Sequence, residues 1–321
     1  MRRLGLSLLT LVLVLPLALS LTPTLAMARP LVLIISADGL GAHLLSTLPP
    51  SDIPHIMKLA RDGDQAVRAE TIALAKTIPG HASMLAGVDT PKHQRTYNEF
   101  DPALKKLEAP TILDLAKMNG LKVAAIFGKE KLSFLFDTGA LDKNVVPRLW
   151  PIGDWWGRIP SVVDETAADI LKNGKPDLLF IHYAWVDSIG HIFKWETAPQ
   201  RFAVRQVDES LGHLLAFLDK NIATLNPSGD GYAVILTADH GGHDVSHGQG
   251  HDGILENPET DLVIPWIVYR SSLSGIDNSK RAQLLDPKAP VKVYDTAATA
   301  AALLGLQVPP TWNWDGVNRL K

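Results

Sequence analysis

The side chains best able to do chemistry gather in Leu236-Thr237-Ala238-Asp239-His240-Gly241-Gly242 and in the histidines just beyond, His243, His247 and His251. Four of the chain's 11 histidines fall between positions 240 and 251, among glycines and aspartates. Residues 232–236 are apolar and partly β-branched, and Gly241-Gly242 follows, so a strand is expected to end in a turn there. Asp239 and His240 would then stand at the rim of a sheet, where open α/β folds place their sites. A carboxylate and several imidazoles on tight turns suit a borderline divalent cation such as zinc.

Other segments repeat the pattern. Residues 31–36, LVLIIS, read as a buried parallel strand that runs into Ala37-Asp38-Gly39. Residues 177–183, DLLFIHY, read as a strand, with Asp187 and His191 four positions apart just beyond it. Residues 121–127 read as a strand that leads into Gly128-Lys129-Glu130-Lys131. In Lys76-Thr77-Ile78-Pro79-Gly80-His81, Pro79 fits the first turn of a helix and Thr77 lies just before it. The free amides and positive dipole end of such a helix suit a phosphoryl oxygen. Tyr97-Asn98-Glu99-Phe100-Asp101-Pro102 is turn-rich, and Trp150, Trp155 and Trp156 cluster in a Pro/Gly-rich loop that could form a pocket wall.

Helical spacing marks 53–61, with Asp52 as cap, and 111–119, which Gly120 ends. It also marks 161–172, with Ser161 as cap, the long amphipathic run 201–220, and 295–304; a late strand covers 264–269. Strands and helices thus alternate, which predicts an α/β fold with a mainly parallel central sheet and helices on both faces.

Composition sets outer limits. The 321 residues, 46% of them hydrophobic, suffice for one large domain. Arg2 and Arg3 precede an apolar run over 4–21, and Ala26-Met27-Ala28 offers a small-x-small cleavage site. Residues 1–28 therefore read as a secretory signal peptide, and 29–321 as a single catalytic domain that is secreted or periplasmic, with no stable membrane anchor after cleavage. Without cysteine there can be no disulfide and no lipidated N-terminal Cys, so stability must come from the core. Removing Arg2 and Arg3 takes the formal charge from −3 to −5, the wrong sign for a nucleic-acid partner.

On these motifs the chain resembles the alkaline phosphatase superfamily, in particular its type I phosphodiesterase/nucleotide pyrophosphatase branch and the threonine-nucleophile phosphatases. Ala37-Asp38-Gly39, Lys76-Thr77-Ile78-Pro79-Gly80-His81, Asp187-Ser188-Ile189-Gly190-His191 and Ala238-Asp239-His240-Gly241 carry the resemblance, in that order. Tyr294-Asp295-Thr296, Leu303-Leu304-Gly305 and Trp314-Asp315-Gly316 extend it to the C-terminal region.

The resemblance implies a hydrolase of small phosphoric esters with Thr77 as nucleophile, a phosphothreonine intermediate and two divalent metals, zinc first and manganese as the alternative. One metal would be held by Asp38, Asp239 and His240 and would also bind the Thr77 oxygen. The other would be held by Asp187, His191 and a histidine within 247–251, with His251 preferred for its Gly250-His251-Asp252 setting and His247 as rival. Asn98 would contact a non-bridging phosphoryl oxygen. Gly128-Lys129-Glu130-Lys131 is similar to a Gly-Lys-Asp-Arg motif of single-subunit alkaline phosphatases, so Lys129 and Lys131 could bind a monoester's phosphate, although Lys131 lacks the bidentate fork of arginine. Gly80 stands where nucleotide pyrophosphatases commonly carry Asn. The missing cysteine and the threonine at the nucleophile position argue against a sulfatase. Monoesterase, phosphonate hydrolase, phosphoryl or phosphonyl transferase, and a non-catalytic ligand-binding member remain as alternatives.

Overall fold

The computed structural model describes residues 28–99, 107–132, 141–145, 159–227, 229–250, 253–273, 286 and 288–320. Expectations on residues 1–27, Asp101, Pro102, Trp150, Trp155, Trp156 and His251 lie outside them.

β1 (Leu31–Ala37) is buried along its whole length. It pairs in parallel with β7 (Tyr232–Thr237) on one side and β6 (Leu178–Tyr183) on the other. β4 (Val123–Phe127) and β5 (Lys143–Val145) continue the parallel array beyond β6. Beyond β7 the sheet turns antiparallel through β9 (Trp266–Arg270) and β2 (Asp64–Gln65), giving the order β2-β9-β7-β1-β6-β4-β5. The mainly parallel central sheet expected from the alternating pattern is therefore present.

The apolar run at 264–269 was expected to form one strand, and here the structure differs. Pro265 divides it into β8 (Val263–Ile264) and β9, because proline has no N–H for a ladder. β8 joins β3 (Ala69–Glu70) and β10 (Val291–Lys292) in a separate three-stranded sheet.

Two groups of helices bury the central strands from both sides, which is why those strands are apolar without alternation. In one group α2 (Pro54–Asp62), α6 (Pro160–Gly174) and α7 (Trp185–Phe193) pack on the long α8 (Ala198–Leu225). In the other, α10 (Asp295–Leu303) packs on α3 (Thr77–Ala86) and α5 (Ile112–Met118), and on β1 and β7. The short helices α1 (Ala42–Ser46), α4 (Thr90–His93) and α9 (Pro258–Leu262) lie in the connections.

The helix starts show where local reading falls short. Thr111 caps α5 through a reciprocal capping box with Asp114. Asp52 and Ser161 do not cap, contrary to expectation. The first amides of α2, at His55 and Ile56, donate instead to Asp208 of α8, at 3.1 and 2.7 Å. A carboxylate remote in sequence thus satisfies the free amides and fixes how α2 docks. Pro160 moves the start of α6 forward, which leaves Ser161 inside the helix.

Strand register then aligns the chemistry. Ser36 lies beside Thr237, Ala37 beside Tyr183 and Phe127 beside His182. β7, β1, β6 and β4 therefore end level with one another, and the residues just past them are forced together.

Candidate active site

Asp38 follows β1 directly, and its amide donates to the Tyr183 carbonyl at the end of β6. Asp187, on the first turn of α7, donates its own amide to the Asp38 carbonyl. Asp239 comes two residues after β7, and its Oδ1 accepts the Gly39 amide at 3.2 Å. The loop needs glycine at 39, where φ is +74° and a Cβ would come within 2.9 Å of the Asp187 Cα. All three carboxylates are buried.

Lys129 is the cation nearest to them. It follows β4 by two residues and its ammonium lies 2.6 Å from Asp38 Oδ2 and 2.5 Å from Asp187 Oδ2. Burial opposes charge on every group here, yet the field of these neighbours prevails at three of them. Burial would raise Asp38, but Lys129 and His182 hold it well below the usual carboxylate range. Asp187 is likewise pulled well below against burial and Asp38, mainly by Lys129. Burial would lower Lys129, but Asp187 and Asp38 raise it above the ordinary lysine range. Asp239 goes the other way, raised well above normal by burial and by Asp38. One ammonium therefore leaves the three carboxylates short of positive charge.

Burial holds the His240 and His247 rings below the usual imidazole range, whereas Asp187 raises His191 against burial. All three engage Nδ1 with a backbone carbonyl: His240 with Gly241 at 2.7 Å, His191 with Val245 at 2.9 Å and His247 with Ala75 at 2.8 Å. In each, Nδ1 donates and Nε2 faces the carboxylates, with a lone pair on His240 and His247, the arrangement that orients a metal-binding imidazole. His240 Nε2 lies 3.2 Å from Asp239 Oδ2, 3.4 Å from Asp38 Oδ1 and 4.0 Å from Asp187 Oδ1. Asp187 Oδ1 is 3.3 Å from His191 Nε2 and 3.6 Å from His247 Nε2. Two ligands bound tetrahedrally at zinc distances stand about 3.3–3.4 Å apart, close to several of these separations.

The carboxylate oxygens give a second test of fit. Asp38 Oδ1, Asp187 Oδ1 and Asp239 Oδ2 are buried without a hydrogen-bond partner, and they are the oxygens that face these nitrogens. A buried carboxylate oxygen without a donor calls for a cation or, as at the raised Asp239, a proton. Two sets of ligand atoms lie within 4.8 Å of one another, Asp187 with His191 and His247, and Asp38 with Asp187 and His240. The residues present therefore fit divalent cations.

Thr77 is buried as the first residue of α3, one position further into the helix than expected, and makes no side-chain cap. Its Oγ1 lies 3.4 Å from His240 Nε2 and 3.5 Å from Lys129 Nζ. Asn98 Oδ1 accepts the Ile78 amide at 3.0 Å and the Lys131 ammonium at 3.1 Å, which leaves its Nδ2 as the end free to donate. Burial, followed by the adjacent Lys129, pushes Lys131 down to about 8.

Every expected site residue among those described thus converges on one rim: Asp38, Thr77, Asn98, Lys129, Lys131, Asp187, His191, Asp239 and His240. His247 joins them. His243 turns away, with Nδ1 2.8 Å from Asp261 Oδ1.

The model of the type I phosphodiesterase / nucleotide pyrophosphatase family matches residues 32–310. The chain belongs to that family. A human relative within reach is ectonucleotide pyrophosphatase/phosphodiesterase family member 7, 23% identical over 229 residues, which cover 65% of this chain and 47% of that protein. The alkaline phosphatase PhoK of Sphingomonas sp is 39% identical over 133 residues, 40% of this chain and 22% of PhoK. The chain thus spans less than half the length of these curated relatives. The type I phosphodiesterase fold is also that of murine ectonucleotide pyrophosphatase/phosphodiesterase 5, solved as an inactive variant with AMP: TM-score 0.60, 16% identity, 91% of this chain and all of that one covered. Ps i-CgsB shares the fold at TM-score 0.65 and 17% identity, over 90% of this chain and 75% of that one.

Residue-type reasoning passed over His182, Asp261 and Trp195. His182 is the single polar residue within the six of β6, and that break in an apolar run was its only signal. Asp261 is buried and accepts from the His243 ring and from the Gly248 amide, so it braces the histidine loop. Trp195 donates to the Gly39 carbonyl and packs edge-on to His191.

Gly80 has a reason of its own here. A Cβ at that position would lie 2.8 Å from the Asp239 carbonyl oxygen and 3.1 Å from the Asp239 Cβ. Gly80→Ala must push α3 away from the Asp239 loop, so urea unfolding should show a loss of about 1–3 kcal/mol. Added zinc should also raise its Tm less than it raises the wild-type Tm. An undiminished zinc-dependent rise would separate Gly80 from the site.

Proposed function

We propose that the chain is a secreted or periplasmic, metal-dependent hydrolase of phosphoric esters, phosphodiesterase/nucleotide pyrophosphatase-like, that acts through a phosphothreonine on Thr77. The observation that carries this reading is the buried Thr77 hydroxyl at the N-terminus of α3, set between His240 and Lys129 beside three carboxylates with unpartnered oxygens. Asp38, Asp239, His240 and the Thr77 oxygen would hold one cation, and Asp187, His191 and His247 the other. When bound there, divalent cations lower the pKa of an oxygen nucleophile and offset the charge of a phosphoryl group.

The chain's own residues do the rest. Thr77 is fixed by its place on a helix and aims its oxygen into the rim. Attack on phosphorus forms the Thr77 O–P bond and releases the alcohol, and water then breaks the O–P bond. Asn98 Nδ2 donates to a non-bridging oxygen, and the positive end of the α3 dipole favours the phosphoryl charge beside Thr77. The apolar 4–21 run followed by a small-x-small site supports export. Among the described residues no helix is long and apolar enough to cross a membrane.

Thr77→Ala is expected to lower kcat on an aryl phosphate ester by at least about 10³-fold, the scale of losing a nucleophile. It should leave the bound zinc measurable by elemental analysis. Near-wild-type turnover would remove Thr77 from the mechanism.

The choice of third histidine rests on His247, whose Nε2 faces Asp187. Replacing His247 with alanine should take zinc from two ions toward one per chain, whereas His251→Ala should retain both. The opposite ranking would transfer the role to His251.

A second reading, phosphomonoesterase, is favoured by one observation: Lys129 and Lys131 both reach the Thr77–Asn98 end of the site. A monoester carries more negative charge than a diester and gains more from two lysines. Lys131 is charged below about pH 8 and neutral above it. If it binds the phosphate, KM for an aryl monoester should climb as pH rises through about 8, and Lys131→Arg should flatten that climb. A KM that stays level from pH 7 to 9.5 in the wild type counts against the monoesterase reading.

A further inference from the structure

Beneath the ligands lies a buried imidazole with no part in the chemistry above. His182 belongs to β6, fully buried, between Phe127 on one neighbouring strand and Ser36 on the other. Its Nδ1 accepts the Gly128 amide at 3.1 Å, so that nitrogen carries no proton. Its Nε2 is 2.9 Å from Asp38 Oδ2 and must then be the protonated nitrogen, donating to the carboxylate. The tautomer is the reverse of the one on His191, His240 and His247, whose Nδ1 atoms donate. Glycine at 128 permits the contact, because a Cβ there would lie 2.9 Å from the His182 carbonyl oxygen and 2.9 Å from the Ala184 Cβ. His81 stands edge-on to the His182 ring, with centroids 4.8 Å apart.

The two bonds of this ring join two parts of the site. Gly128 adjoins Lys129, and Asp38 Oδ2 accepts from both His182 and Lys129. With Oδ2 occupied in this way, Oδ1 is the oxygen turned toward His240. We infer that His182 is a positioning residue whose fixed Nε2–H tautomer couples the Lys129 loop to Asp38 and selects the Asp38 oxygen presented to a cation. The inference rests on the reading of Asp38 as a metal ligand and of Lys129 as a phosphate-binding residue.

The two bonds can be removed one at a time. Asparagine places an acceptor near the position of Nδ1 and has no donor at Nε2, so His182→Asn keeps Gly128 and releases Asp38. Glutamine carries a donor out toward Nε2 and no acceptor near Nδ1, so His182→Gln does the reverse. Zinc affinity is measured by competition with a chromophoric chelator, and KM with matched aryl monoester and methyl diester substrates. His182→Asn should weaken zinc binding by about 10- to 100-fold, the scale of losing an outer partner of a metal ligand, without changing the ratio of the two KM values. His182→Gln should keep zinc affinity within about threefold and raise the monoester KM several-fold more than the diester KM. Equal losses in both quantities for both variants, or no loss in either, would overturn the coupling.

Independently of any variant, long-range ¹H–¹⁵N correlation on the wild-type protein must show His182 as the Nε2–H tautomer. An Nδ1–H tautomer overturns the inference even if both variants fail to fold, and the Nε2–H form sustains it. A wild-type chain that takes up no zinc would instead refute the reading of the metal site. Unchanged zinc binding by a folded His182→Asn variant would refute only the role of His182.

Discussion

Asp38, Asp187 and Asp239 hold their carboxylates together out of contact with water, and the rest of the site answers that repulsion. Removing charge from water is costly, and like charges add to the cost unless opposite charge or hydrogen bonds offset it. Lys129 reaches two of the three, and Asp239 remains pushed well above the normal range by burial and by Asp38. Each carboxylate keeps one buried oxygen without a hydrogen-bond partner, and those oxygens face the Nε2 atoms of His240 and His247, whose ring protons sit on Nδ1. Such a cluster stores unfavourable electrostatics that divalent cations would relieve.

The scaffold can bear this load because it is rigid where the load falls. Asp38 follows β1 directly, Asp239 comes two residues after β7, and Asp187 lies on the first turn of the helix that follows β6; these three strands are adjacent, parallel and completely buried. Backbone bonds from Asp38 to Tyr183 and from Asp187 to Asp38 lock the ends in register. Gly39 and Gly80 allow close approaches that a side chain would prevent. Asp261 and the Ala75 carbonyl then hold the loop that carries His240 and His247. The geometry is thus prepared before any ligand arrives, the condition under which fixed charges and dipoles are most effective in catalysis.

Much of this was legible in residue order. Apolar runs that end in Asp-Gly, Asp-His-Gly or a later Asp-x-x-x-His announce strand ends carrying ligands, since a buried parallel strand needs an unbroken apolar run and a site needs polar groups at its end. The family's motifs then bound Asp38, Thr77, Asp187, His191, Asp239 and His240 into one expected constellation. Reading by residue type failed where a partner came from far away in the chain. Asp208 lies more than 150 positions from the amides of α2 that it caps. Pro265 split an apolar run between two sheets, because a missing N–H matters only once the neighbouring strand is known.

By itself the sequence determined the fold class, the strand-end placement of the candidate site residues and the family, since all three follow from periodicity and from short motifs read in order. Tertiary structure alone decided which of His240, His243 and His247, the described histidines of the 240–251 loop, turn toward the carboxylates. His247 faces Asp187 because the Ala75 carbonyl, some 170 positions earlier, takes its Nδ1 proton, while His243 is claimed by Asp261. It also decided that His182, one polar residue in an apolar strand, stands between Gly128 and Asp38. Ring orientation and tautomer depend on which backbone groups arrive on either side of the ring. Strand register sets that arrival, and no local run of residues encodes it.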